Sequence, residues 1–149
     1  MFNENMKAKG RLSIVLKDGN GNVKDTREVD NLVVNTGLAY IASRMKDATA
    51  TAMTHMGLGS GSTAAAAGDT DLGSLLGSRE ALDSTTVTSN AIEYVASFEA
   101  GDATGAVTEA GIFNAASGGT MLCRTVFSVV NKGASDTMTV TWTITISAA

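Results

Sequence analysis

His55 and Cys123 are the only histidine and the only cysteine in the chain. Most nucleophilic, acid–base or zinc chemistry would have to be built around them. A serine triad needs its nucleophile on a sharp turn, and no Gly-x-Ser-x-Gly sequence occurs. A zinc site of ordinary type needs several nitrogen or sulfur ligands, and one His and one Cys far apart do not supply them. His55 alternates with Met53 on one strand face, so a structural or surface role is expected for it. Cys123 follows Met121 and Leu122 in an apolar run and reads as a small buried hydrophobe.

Three other patterns invite a chemical reading. The run Gly57-Leu58-Gly59-Ser60-Gly61-Ser62 has the glycine density of a phosphate-cradling loop. It lacks the lysine and the following helix, so a flexible connection is expected instead. Asp18-x-Asn20-x-Asn22 opens like an oxygen-ligand calcium loop, but Val23 stands where glycine is needed and Val29 where the closing glutamate belongs. A tight hairpin turn is the better expectation. Asp69 and Asp71 are two carboxylates in a polar stretch and are expected to be solvated. Glu109 differs, because it sits among apolar residues in Val107-Thr108-Glu109-Ala110-Gly111-Ile112-Phe113-Asn114. An unpaired buried charge is costly, so a structural ion pair with Arg124 or Arg79 is expected. No catalytic, cofactor-binding or metal-ligating residue is assigned, no cofactor is implied, and an enzyme is not expected.

The elements that would position these residues are mostly strands. From Thr137 onward, Met138, Val140, Trp142, Ile144 and Ile146 alternate with Thr139, Thr141, Thr143 and Thr145. A period of two marks one long strand with a buried and a wet face, and β-branched Thr suits the wet one. The only Trp lies at its centre. Leu12, Ile14 and Leu16 form a similar strand. It leads through Asp18-Gly19-Asn20-Gly21-Asn22 to a return strand over 23–29, a hairpin. After a short strand at Leu32, Val33 and Val34, residues Leu38, Ile41, Ala42 and Met45 recur at helical spacing. The pattern predicts one short helix near residues 36–45, capped by Asn35 or Thr36. Residues 53–58, 85–88, 92–99, 107–114 and 120–130 read as further strands, and those from 85 onward look like a meander ending in the final strand. The fold class is all-β, an antiparallel two-sheet β-sandwich of jelly-roll or Ig-like type. Residues 1–10 are expected to be a mobile N-terminal arm and 11–149 a single domain, with a mobile loop at 59–71.

The chain has 149 residues, long enough for one domain with a real core. Charged residues are 17%, below the usual quarter, and Ala, Gly, Ser and Thr make up the difference. The net charge is −4 and the basic residues are scattered, so nucleic acid is not an expected partner. A lone cysteine rules out an intramolecular disulfide and allows folding in a reducing compartment. No apolar stretch approaches the roughly 20 residues of a membrane span, and the first ten residues lack a secretory apolar segment. Synthesis in the cytoplasm and no membrane partner are expected.

Residues 31–45, the run Met56-Gly57-Leu58-Gly59-Ser60-Gly61, the strand at 108–114, the run Gly118-Gly119-Thr120-Met121-Leu122-Cys123-Arg124 and the closing Thr/apolar strand together resemble small virion structural proteins of tailed bacteriophages. The resemblance covers about residues 30–147. It implies a particle component without catalytic residues, located in the virion. Within that class, a capsid decoration (cement) protein is the first expectation. Such a protein binds the outside of an assembled shell, with the major capsid protein and copies of itself as partners, in a homo-oligomer or through lattice contacts. A tail or fibre module contacting the host surface is the alternative. It would expose aromatic or polar loops, and this chain has only one Trp, two Tyr and four Phe.

Overall fold

A computed structural model describes residues 6–46 and 50–148 of the chain. The elements are β1 (Met6–Lys17), β2 (Val23–Val33), α1 (Asn35–Arg44), β3 (His55–Gly59), β4 (Glu80–Ala81), β5 (Ser84–Thr88), β6 (Ala91–Phe98), β7 (Gly105–Phe113), β8 (Met121–Lys132) and β9 (Thr137–Ala148). The protein is mostly β with one short helix. Every strand pair is antiparallel, and the strands form a curled sheet in the order β4-β3-β7-β8-β2-β1-β9-β6-β5.

The alternation in β9 sets the core. Met138, Val140, Trp142 and Ile144 point inward and are buried. Trp142 lies in register with Leu12 of β1 on one side and Tyr94 of β6 on the other. Inward residues of β1, β6 and β9 join those of β3, β7 and β8 in one cluster, so the curl brings the two ends of the sheet onto a common apolar interior. The halves are joined by β2, which pairs with β1 along most of its length and with β8 only through Leu32 and Val33.

The β1–β2 hairpin turns as its sequence requires. Asp18 accepts hydrogen bonds from the backbone N–H groups of Asn20 and Asn22, each at 2.9 Å, and Gly21 takes a φ of +84°. Asp18 is held below the ordinary carboxylate range, chiefly by the Asn22 N–H.

Three expectations are corrected. The described part of the expected N-terminal arm is strand. Residues Met6, Lys7, Ala8, Lys9 and Gly10 pair with the end of β9, because a twelve-residue β9 offers a ladder long enough to hold them, and Gly10 is buried while Ala8 packs on the core. Residues 1–5 lie outside the described part. The second half is not a meander, since β9 is hydrogen-bonded to β6 and β1 and not to β8.

The helix has the expected place but a different face. Gly37 is its buried residue, and Tyr40 and Ile41 pack on the core, whereas Leu38 and Met45 are 47% and 77% exposed. A Cβ at Gly37 would strike the Leu122 carbonyl, so the glycine is what lets the helix seat on β8. The N-cap is Val34, with no side-chain cap; Thr36 instead donates its hydroxyl to the Met121 carbonyl at 2.8 Å.

Residues 59–71, expected to form a mobile loop, form no helix or strand beyond Gly59. Gly59 ends β3, and the residues after it lie against the outer face of β7 and β8, tied by the contacts described next.

Candidate functional site

In β7 the side chains of Ala110 and Ile112 enter the main core. Phe113 belongs to a second apolar cluster with Val34 and Met121, and Leu72 packs onto it. The segment after β3 therefore covers the other face of β7. Between that segment and the sheet lies Glu109, with no solvent exposure.

Backbone and arginine donors saturate the Glu109 carboxylate. Oε2 accepts from the N–H of Gly61 at 2.6 Å and of Ser74 at 2.8 Å. Oε1 accepts from the N–H of Gly73 at 2.8 Å and from Arg124 Nε at 3.1 Å and Nη2 at 3.0 Å. A carboxylate has about four lone-pair sites, and all are engaged. Arg124, itself 3% exposed, is equally committed. Its Nη1 meets Asp69 Oδ2 at 2.8 Å and its Nη2 donates to the Thr63 carbonyl at 3.0 Å. Asp69 also accepts the N–H of Ala66 at 2.9 Å. That N–H, and then Arg124, holds the Asp69 carboxyl below its ordinary range. Thr108 donates to the Gly61 carbonyl, and the Asn35 N–H donates to the Ala67 carbonyl, both at 2.8 Å.

The glycine-rich run is explained here. A Cβ on Gly61 or Gly59 would collide with the Glu109 carboxylate. The glycines have a steric role. They let the backbone approach a buried anion.

Arg79 makes a second clasp beside the first. Its guanidinium lies 3.4 Å from the centroid of the Phe113 ring, donates to the carbonyls of Ala115 at 2.9 Å and Gly118 at 2.8 Å, and pairs with Asp71 at 3.3 Å. The expected Glu109 pair is thus made with Arg124 and not Arg79. Of the two aspartates expected to be solvated, Asp71 is, with its side chain 66% exposed, whereas Asp69 is largely covered where it holds Arg124.

The remaining candidates are quiet. Cys123 is fully buried, and burial pushes its thiol well above the ordinary value. His55 is half-buried, with Nδ1 2.8 Å from Thr54 Oγ1. Among the described residues no group of three or more His, Cys, Asp or Glu is placed to hold a metal ion, and no helix is long and apolar enough to cross a membrane.

Sequence reasoning found Glu109 and Arg124, singled out the run with Gly61 for other reasons, and missed Gly73 and Ser74; the N–H groups of these last three complete the site. The available signal was recurrence of glycine on both sides of a polar stretch, in a chain with one acid inside an apolar strand.

Fold and site together define a mostly β protein with a buried ion pair that fastens a long connection to its sheet. No family model, curated protein or solved structure matches the chain.

Proposed function

We propose that the chain is a structural component of a tailed-phage virion, a capsid decoration protein whose sheet closes as a two-layer sandwich and whose outer surface binds the assembled shell. The observation that carries this reading is the outward face of β1, β2 and β9. Thr141, Thr143 and Thr145 line it beside Lys9 and Arg11, and together with α1 it encloses an open groove of about 940 Å³. Leu32 and Leu38 line the same groove and are 37% and 47% exposed. A concave face with accessible leucines set among hydroxyls and mixed charges has the make-up of a protein–protein contact: an apolar centre with a polar rim. Arg11 is already neutralised by Glu28 at 2.7 Å and Asp30 at 3.4 Å, which does not suit an anionic polymer as partner.

A cement protein binds the assembled lattice better than free subunits, so it stabilises the shell by linkage. Particles made without the chain should assemble and adsorb to the host normally, yet release their DNA at lower temperature. Purified chain added back should restore stability, and the Leu32→Glu/Leu38→Glu variant should not. Particles that keep full thermal stability but fail to adsorb would replace this reading with the tail or fibre alternative.

A further inference from the structure

The open strand edges of this sheet are treated unequally. The free side of β3 is covered by β4, by a bridge between Gly59 and Leu75, and by backbone hydrogen bonds from Leu76 to Leu58 and from Leu82 to Thr54. Where β8 parts from β2, Arg27 reaches across and donates to the carbonyls of Ser128 and Val129 at 3.1 and 3.2 Å. The free side of β5 has no such cover among the described residues. This strand, Ser84-Thr85-Thr86-Val87-Thr88, pairs only with β6 and all five residues are exposed, Val87 at 70%. It carries no charge, no proline and no bulge, the usual devices that stop an edge from recruiting another strand.

We infer that the β5 edge is a strand-pairing surface and that its occupant is the β5 of a second copy of this chain, joined antiparallel about a two-fold axis through Thr86. Free backbone N–H and C=O groups at a sheet edge select an extended strand. The fullest overlap of a five-residue strand with its own antiparallel copy is centred on the middle residue. That register sets Thr86 opposite Thr86, Ser84 opposite Thr88, and Thr85 opposite Val87. The result is one face of hydroxyl pairs and one of Thr–Val contacts, both favourable across strands. No like charges meet within the paired residues, although the chain carries −4 overall. The only nearby carboxylate in β6, Glu93, lies beside Thr86 one strand back. The two copies of Glu93 then stand three strand spacings apart, roughly 14 Å, beyond the screening length at physiological salt. Five residue pairs make a small interface, so the dimer in solution is weak and concentration-dependent.

Cysteine crosslinking of the full chain tests the axis, because the native Cys123 is buried and does not compete. Under mild oxidation Thr86→Cys should form a disulfide dimer, since directly opposed residues have Cα atoms about 4.5–5.5 Å apart. Ser84→Cys alone should not, because its own copy is four residues away along the pair. Ser84→Cys mixed with Thr88→Cys should crosslink to each other. Val87→Lys should abolish the concentration-dependent dimer in sedimentation while Trp142 fluorescence stays unchanged. Equal crosslinking at positions 84 and 86 overturns the register and the inference with it. A chain that stays monomeric at every concentration, but whose Val87→Lys variant no longer joins its particle, assigns the edge to a strand of another protein and also overturns self-pairing.

Discussion

Glu109 on β7 and Arg124 on β8 meet at 3.0 Å with neither side chain more than 3% exposed. They are diagonal neighbours across the ladder, since Glu109 is in register with Val126 and Arg124 with Gly111. The two partners differ in the kind of their further obligations: Arg124 also holds Asp69 and the Thr63 carbonyl. Glu109 also takes three backbone N–H groups, from Gly61, Gly73 and Ser74. The ion pair therefore acts as the knot that fixes the connection after β3.

That difference gives an ordered pair of mutants. Breaking a buried pair by removing one partner costs about 3–5 kcal/mol. Glu109→Leu should fall at the upper end, because it orphans three N–H donors and leaves Arg124 with Asp69 as its one carboxylate partner. Arg124→Met should cost less, since the N–H groups still satisfy the carboxylate. Urea unfolding of both variants and of the double variant should show strong coupling. Additive effects would show that the two residues act independently.

The glycines offer a paired test. Gly61→Ala forces a methyl group into the Glu109 carboxylate and should destabilise by about 1–3 kcal/mol, the range for overpacking. Gly68→Ala meets nothing within 4 Å and should be neutral or stabilise by up to about 1 kcal/mol through the unfolded chain. Equal effects in thermal melts would argue against close packing of this segment on the carboxylate.

Trp142 fluorescence should be blue and poorly quenched by iodide. Trp142→Ala should cost about 3–5 kcal/mol, as for a large aromatic lost from a core. Trp142→Phe should cost clearly less, because the indole N–H has no hydrogen-bond partner to lose. Red, fully quenchable emission from the folded protein would contradict the core placement.

Acid should destabilise the protein below about pH 4, the ordinary Asp value. Asp18, Asp69 and Asp136 all have lowered pKa values; for Asp136 the first cause is the hydrogen bond from Lys24 at 2.8 Å. A carboxyl whose folded pKa lies below its unfolded one contributes stability above the unfolded value and loses it as pH falls through the folded value. Unfolding free energy measured against pH should therefore drop on the acid side, and Asp136→Asn should flatten that drop. Stability that rises as pH falls from 4 would reverse the sign.

What could be read in the sequence depended on whether the signal was local. The alternation at 138–146 fixed β9 and its buried face, and Asp18 to Asn22 fixed the first turn. Pairing partners were not legible, because an alternating strand carries no label for its neighbour; β9 went to β1 and β6 although β8 precedes it. The helix face was misjudged because Leu38 and Met45 are more apolar than Gly37, yet close approach to Leu122 favours the residue with no side chain. Residues 59–71 looked mobile by composition, since composition counts apolar side chains and this segment is held chiefly by backbone N–H and C=O groups. Glu109 itself was legible as a paired acid, and the donors around it were not.

The most direct test of the proposed role is the number of copies in the purified virion, counted by mass spectrometry or image reconstruction against the major shell subunit. A decoration protein predicts copies in the hundreds, in fixed proportion to the shell lattice and on its outer surface. A count of a few to a few dozen, confined to the tail, would contradict it.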